Sequence, residues 1–207
     1  KKIVFLSERN PENIPWGKYG VEIVLESTGI FRSRELASKH LVGGAKKVVL
    51  SAPAKDDNIR TVVVGINDDL LESTDLIISN ASCTTNSAAP MVQVMKELCT
   101  IESAFITTVH SYTSDQKLHD APHKDLRRAR AATQNIIPTT TGAAAAVVKI
   151  FPKLEGKLTG IAARVPVITG SFTDFSVNLE KSATAAEINA AFRAAADNLE
   201  GILEYTD

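Results

Sequence analysis

Five short runs rich in Val, Ile and Leu fall within the first 82 residues, and they constrain the fold more than any other feature. They are "KKIVFLSE" (1–8), "VEIVLEST" (21–28), "KKVVLSAP" (46–53), "TVVVGIN" (61–67) and "LIISNAS" (76–82). A strand that is apolar at nearly every position must bury both faces, and parallel sheets covered by helices provide that setting. Between the runs lie a turn-rich stretch at 11–20, with Pro11, Pro15, Gly17 and Gly20, and a helix-spaced stretch at 32–44 that stops at Gly43-Gly44. Strands alternating with a helix and turns predict a doubly wound parallel sheet of the α/β class, here a partial one.

The character changes at Cys83. Residues 89–100 read as a helix entered through a Ser/Thr/Asn cluster, with Pro90 predicting a kink or a late start. Residues 103–113 read as a strand, 125–132 as a basic polar stretch, and 135–152 as a turn leading into an Ala-rich helix. The alternation over 158–181 predicts antiparallel strands. Thr184 with Glu187 forms a capping box for a last helix, and Gly201 is its expected stop. The expected organisation is a parallel-sheet part at 1–82 and an α+β part with a mostly antiparallel sheet at 83–207.

Composition excludes several classes. The formal net charge of -1 gives no general attraction to nucleic acid or to an anionic membrane. No apolar run approaches the roughly 18–20 residues of a membrane-spanning helix. Two cysteines, Cys83 and Cys99, are too few for a disulfide framework and form no CxxC zinc motif. The expected setting is cytoplasmic. The chain opens directly on a strand-like run without Met and closes on "EYTD", so it is expected to be an internal piece of a longer protein.

"SNASCTTNSAAP" (79–90) places Cys83 among small hydroxyl residues, whereas a core cysteine sits among Leu, Val and Ile. It follows a strand at the edge where doubly wound sheets bind ligands. A helix N-terminus there would favour a thiolate, and a neighbouring histidine would favour it further. Of His40, His110, His119 and His123, the best partner is His110, near the end of a strand that could face the same cleft. Read alone, these residues leave open both a nucleophile and an inert buried thiol.

The local sequences go further. "SNASCTTN" (79–86), "TTVHSYTSDQ" (107–116), "NIIPTTTGAA" (135–144) and "GKLTGIAARVP" (156–166) resemble, in order, segments of the phosphorylating glyceraldehyde-3-phosphate dehydrogenases. "ESTG" (26–29) and "KKVVLSAP" (46–53) resemble that family's cofactor half. The resemblance implies that 1–82 is the C-terminal part of a Rossmann-type NAD-binding domain and 83–207 a catalytic domain truncated at its C-terminus. It implies that Cys83 attacks the aldehyde of glyceraldehyde 3-phosphate and that His110 is its acid–base partner. NAD is the implied cofactor, inorganic phosphate the second substrate, and a homotetramer the full-length assembly. Thr113 and Arg164 match the site for the substrate phosphate. Ser82, Thr84, Thr141 and Gly142 match the site for the attacking phosphate, with Arg128 nearby. Thr28, Gly29 and Ser51 match cofactor-contacting positions, and Pro122 matches a loop associated with NAD rather than NADP.

Some positions depart from the pattern. Ser87 stands where many members carry a second cysteine, and the residues after Pro166 differ from the commoner sequence. The GxGxxG fingerprint and the family's C-terminal helix are not within the chain. Three other readings compete: erythrose-4-phosphate dehydrogenase, a non-catalytic binding module, and a cysteine hydrolase that works without NAD.

Overall fold

The computed structural model describes residues 2–207, which form two compact units meeting between Ser82 and Cys83. In the first unit, strands β1 (Ile23–Glu26), β2 (Lys47–Leu50), β3 (Arg60–Thr61) and β4 (Ile77–Ser79) form one sheet in the order β1-β2-β4-β3. All its pairings are parallel. Helix α1 (Arg34–Val42) packs on it, and Ala37, Val48, Leu50, Ile59 and Ile77 close the core. The Ser33 side chain accepts the Leu36 N–H at 3.3 Å and starts α1. The helix ends at Gly43-Gly44 because nothing larger fits there. A Cβ on Gly43 would sit 2.5 Å from the Ile14 carbonyl oxygen, and one on Gly44 (φ +101°) 2.7 Å from the Gly17 nitrogen.

Three expectations change in this unit. The run at 1–8 forms no strand over its described residues, and Lys1 lies outside them; Ile3 and Phe5 are about nine-tenths exposed, without a partner ladder. The run at 61–67 pairs only through Thr61. Beyond it the Asn67 amide takes over the backbone: its Oδ1 accepts the Val63 N–H at 2.8 Å and its Nδ2 donates to the Thr61 carbonyl at 2.9 Å. Edge strand β1 buries Val24 and Glu26 but leaves Ile23 and Leu25 exposed, so it is covered on one face rather than two.

The second unit contains α2 (Cys83–Leu98), β5 (Ile101–Ser111), β6 (Ile137–Thr139), α3 (Ala143–Ile150), β7 (Leu158–Val165), β8 (Ser171–Leu179) and α4 (Ala185–Asn198). Its sheet runs β6-β7-β5-β8. β6 and β8 pair antiparallel with β7 and β5, while the central pair β5–β7 is parallel. The alternating stretch at 158–181 is therefore not a hairpin: β5 lies between its two strands. That central ladder is tight at Gly160, where a Cβ would sit 2.6 Å from the Ile106 carbonyl oxygen.

Helix α2 begins at Cys83 itself, earlier than residue 89, and runs through the buried Pro90. Its buried stripe explains the early start. Thr84, Thr85, Ala88, Ala89, Val92 and Met95 recur at helical spacing, so the hydroxyl cluster belongs to the packed face. The Thr184–Glu187 capping box is formed in both directions and opens α4, and Gly201 takes φ +75° just past its end.

Candidate active site

Parallel pairing of β5 and β7 puts His110 directly beside Arg164. The antiparallel pairing of β5 with β8 puts Ser171 on the other side of His110. The two ladders line up an arginine, an imidazole and a hydroxyl in one row across the sheet. Cys83, the first residue of α2, completes the group: its Sγ is 3.2 Å from His110 Nε2. The thiol is exposed and the imidazole half-buried. At a helix start, free N–H groups and the positive end of the dipole favour negative charge on that sulfur.

A cleft of about 360 Å³ opens over the pair, lined by Cys83, Thr84, Ser87, Thr108, His110 and Ser171 among others. Thr108 Oγ1 is buried without a hydrogen-bond partner, an unused polar atom in the cleft wall. A larger cavity of about 510 Å³ lies elsewhere in this unit, between Lys96 and Phe151, and is lined by neither cysteine nor histidine.

Arg164 reaches across to His110. Its Nη1 is 2.6 Å from His110 Nδ1 and 3.0 Å from the Ser111 carbonyl oxygen, and that oxygen is itself 2.6 Å from Nδ1. Burial holds the Arg164 pKa below the usual guanidinium value; charge on Cys83 and Asp115 works the other way, and Arg128 adds to the lowering. Arg164 Nε is buried without a hydrogen-bond partner.

The other expected anion-site residues are distributed as follows. Arg128 is paired with Asp115 and, through Nε at 3.2 Å, with Asp125; its Nη2 donates to Thr140 Oγ1 at 3.3 Å. Burial pushes the Asp115 carboxyl up, but the Arg128 hydrogen bond and the charges of Arg128, His123 and Arg164 outweigh it and hold the pKa below the usual value. Thr113 is tied to Gln116 by its N–H (3.0 Å) and its hydroxyl (3.2 Å). Gly142 is the N-cap of α3 and provides no side-chain cap, while Thr141 Oγ1 accepts the Ala143 N–H at 3.1 Å. The start of α3 is thus rich in donors. Thr84 lines the cleft with Cys83, whereas Arg128 is held by two carboxylates.

Thr28, Gly29, Ser51 and Ser82 belong to the first unit. Thr28 and Gly29 follow β1, Ser51 follows β2 and Ser82 follows β4, all at the carboxyl edge of the parallel sheet. Glu26 accepts the Thr28 N–H at 2.8 Å as well as its hydroxyl, and Ser51 N–H donates to the Glu26 carbonyl at 3.0 Å. Gly29 takes φ +74° with open space where a Cβ would lie. Exposed hydroxyls and an unobstructed backbone at this edge suit a phosphorylated dinucleotide such as NAD. Among the described residues no cluster of His, Cys, Asp and Glu could hold a metal ion, and no helix is long and apolar enough to cross a membrane.

Sequence reasoning did not single out Thr108, Gly170, Ser171 or Thr173 as cleft residues. Strand period offered a signal: Thr108 shares a face with His110, and Ser171 shares one with Thr173.

The two units define a class: an α/β protein with a parallel sheet suited to a nucleotide and a thiol–imidazole pair at the start of a helix. A model of the glyceraldehyde 3-phosphate dehydrogenase C-terminal domain matches residues 82–207, and one of that enzyme's NAD-binding domain matches residues 1–34. The chain belongs to the glyceraldehyde-3-phosphate dehydrogenase family. It is 59% identical over 210 residues to glyceraldehyde-3-phosphate dehydrogenase of Streptomyces coelicolor and 54% identical over 209 residues to that of Geobacillus stearothermophilus. Each match covers 100% of this chain and 62% of the relative, so the chain spans a little under two thirds of these relatives' length.

Proposed function

We propose that the full-length protein oxidises and phosphorylates glyceraldehyde 3-phosphate to 1,3-bisphosphoglycerate with NAD, in the cytoplasm and as a homotetramer. The observation that carries this reading is Cys83 Sγ at the start of α2, 3.2 Å from His110 Nε2, in a chain of this family. The first unit is the C-terminal part of the NAD-binding domain, and Thr28, Gly29 and Ser51 contact the cofactor. NAD, when bound, supplies the hydride acceptor for oxidation at the substrate carbon.

Cys83 Sγ adds to the aldehyde carbon, and the carbonyl electron pair moves to oxygen. His110 Nε2 exchanges a proton with that oxygen, and the Cys83 N–H and the dipole of α2 stabilise its negative charge. Once the carbon is oxidised it is held as a thioester on Cys83. Inorganic phosphate then attacks the thioester carbon, the C–S bond breaks, and its electron pair returns to Sγ. Thr113 and Arg164 hold the substrate phosphate. Ser82, Thr84, Thr141 and Gly142 hold the attacking phosphate, with Arg128 beside them. These are neutral donors and planar guanidinium forks, the groups that fit phosphate oxygens.

The test is NADH formation by the full-length protein with glyceraldehyde 3-phosphate, NAD and phosphate. Cys83→Ser is expected to abolish turnover, and His110→Asn to lower it by about 10²- to 10⁴-fold. Leaving out phosphate is expected to stop the reaction after the first acylation. Equal or better turnover of erythrose 4-phosphate would replace the triose assignment, and NAD-independent hydrolysis of esters would overturn the dehydrogenase reading.

A further inference from the structure

His40 is buried and ionisable, and the thiol–imidazole chemistry of the second unit does not use it. It lies in the last turn of α1. Trp16 Nε1–H, which can only donate, meets His40 Nδ1 at 3.2 Å. That nitrogen therefore accepts, and the ring proton sits on Nε2. Nε2–H donates to Glu26 Oε2 at 2.8 Å. The other carboxylate oxygen, Oε1, accepts the Thr28 N–H at 2.8 Å and the Thr28 hydroxyl as well. Thr28 Oγ1 in turn accepts the Ile30 N–H at 3.1 Å, which closes a turn around Gly29 at φ +74°.

The same ring also holds the far side of that turn. Phe31 meets the His40 imidazole edge-on, with centroids 6.1 Å apart and planes at 77°. His40 thus grips residue 26 before the turn by a hydrogen bond and residue 31 after it by an aromatic contact. A buried carboxylate is costly, and an apolar side chain at position 26 would pack under α1 without that cost. Here each carboxylate oxygen has a separate task, one toward α1 and one toward the turn. A cavity of about 430 Å³ opens beside the network, lined by Glu26, Thr28, Phe31 and His40 among others. Without the imidazole donor, Glu26 Oε2 loses its partner, and the side chain must turn toward water in that cavity to recover one. Its hold on Thr28 goes with it.

We propose that His40 is a positioning residue for the dinucleotide: through Glu26 and Phe31 it fixes the Thr28–Gly29–Ile30 turn in the shape that receives NAD, and so sets cofactor affinity from the back of the site. The inference rests on the reading that Thr28 and Gly29 contact the cofactor.

The experiment measures NAD binding to the full-length protein by calorimetry, and hydrogen exchange of residues 26–31 by mass spectrometry with and without NAD. His40→Leu fills the space but removes the donor. It is expected to weaken NAD binding about tenfold and to speed exchange of residues 26–31 in the cofactor-free protein. In turnover the loss is expected in KM for NAD rather than in kcat. His40→Gln, whose amide can donate to Glu26, is expected to stay within about threefold of the wild-type affinity. Val48→Ala opens the core of the same sheet away from the turn, and is expected to lower the denaturation midpoint without changing NAD affinity. Circular dichroism shows which variants are folded; should His40→Leu not be, His40→Asn, whose amide is too short to reach Glu26, is read in its place. Unchanged affinity in that variant, or an equal loss in His40→Gln or in Val48→Ala, overturns the proposal. If NAD does not slow exchange of residues 26–31 in the wild type, the contact reading fails and takes the proposal with it. Slowed exchange in the wild type beside unchanged affinity in His40→Leu sinks the proposal alone.

Discussion

The chain has two cysteines, and α2 separates them by its own polarity. Cys83 is the helix's first residue, and Cys99 follows its last, with Sγ accepting the Lys181 N–H at 3.3 Å. One thiol sits at the positive end of the peptide dipoles and the other at the negative end. Each end contributes about 0.3–1 kcal/mol, so position alone is worth about tenfold in the balance between thiolates. Cys83 is therefore expected to react with iodoacetamide at neutral pH roughly tenfold faster than Cys99, and denaturation is expected to erase the difference. Peptide mapping of the labelled protein checks this, with Cys99 as the internal reference. Equal rates in the folded protein would remove the argument for Cys83 as an activated nucleophile.

At the level of elements, the central parallel pair β5–β7 sets the site. His110 and Arg164 are adjacent only because the two strands keep register from Ala104 and Leu158 onward. Gly160 permits the close approach, since a Cβ would strike the backbone oxygen of Ile106. Gly160→Ala is expected to cost about 1–3 kcal/mol, the range for overpacking a tight interior, and to lower turnover by shifting Arg164 relative to His110. Chemical denaturation together with turnover measures both effects; an unchanged midpoint would mean the ladder can spread without cost. Much of this architecture was legible beforehand. The apolar runs at 46–53 and 76–82 became β2 and β4, Gly43-Gly44 ended α1, and Thr184 with Glu187 capped α4. Each failure has its own physical cause. Residues 61–67 have strand composition, but the Asn67 side chain captures the backbone. The cluster after Cys83 has cap composition, but tertiary burial of Thr84 and Thr85 draws it into α2. The pairing of β7 with β5 rather than β8 depends on long-range contacts that no local pattern encodes. Cys83 and His110 could be picked out as candidate partners from a hydroxyl-rich turn and a strand end, whereas the Arg164 contact with the ring required the strand register.

For the whole molecule, the two units differ in how they are held and can be observed apart. The first unit has a buried polar knot: Trp16 Nε1–H donates to His40 Nδ1 at 3.2 Å, so His40 donates through Nε2 to Glu26 at 2.8 Å, and Glu26 in turn fixes Thr28. Trp16 is the chain's single tryptophan, and its fluorescence reports this unit alone. His40→Ala leaves the Glu26 carboxylate buried without its ring partner and is expected to destabilise the first unit by about 3 kcal/mol. In the 207-residue chain the tryptophan transition should then move to lower denaturant while part of the circular dichroism transition stays in place. Coincident movement of both signals would mean that the units unfold as one. The second unit is spanned by α2, and the length of that helix has a consequence for oxidative chemistry. Sixteen residues extend about 24 Å, far beyond the roughly 7 Å between Cα atoms that a disulfide can bridge. The residue one turn along from Cys83 is Ser87, whose hydroxyl bonds to Thr173. Peroxide that converts the Cys83 thiolate to a sulfenic acid therefore meets no second cysteine of these 207 residues within bridging distance along α2, and a resolving thiol has to come from outside them.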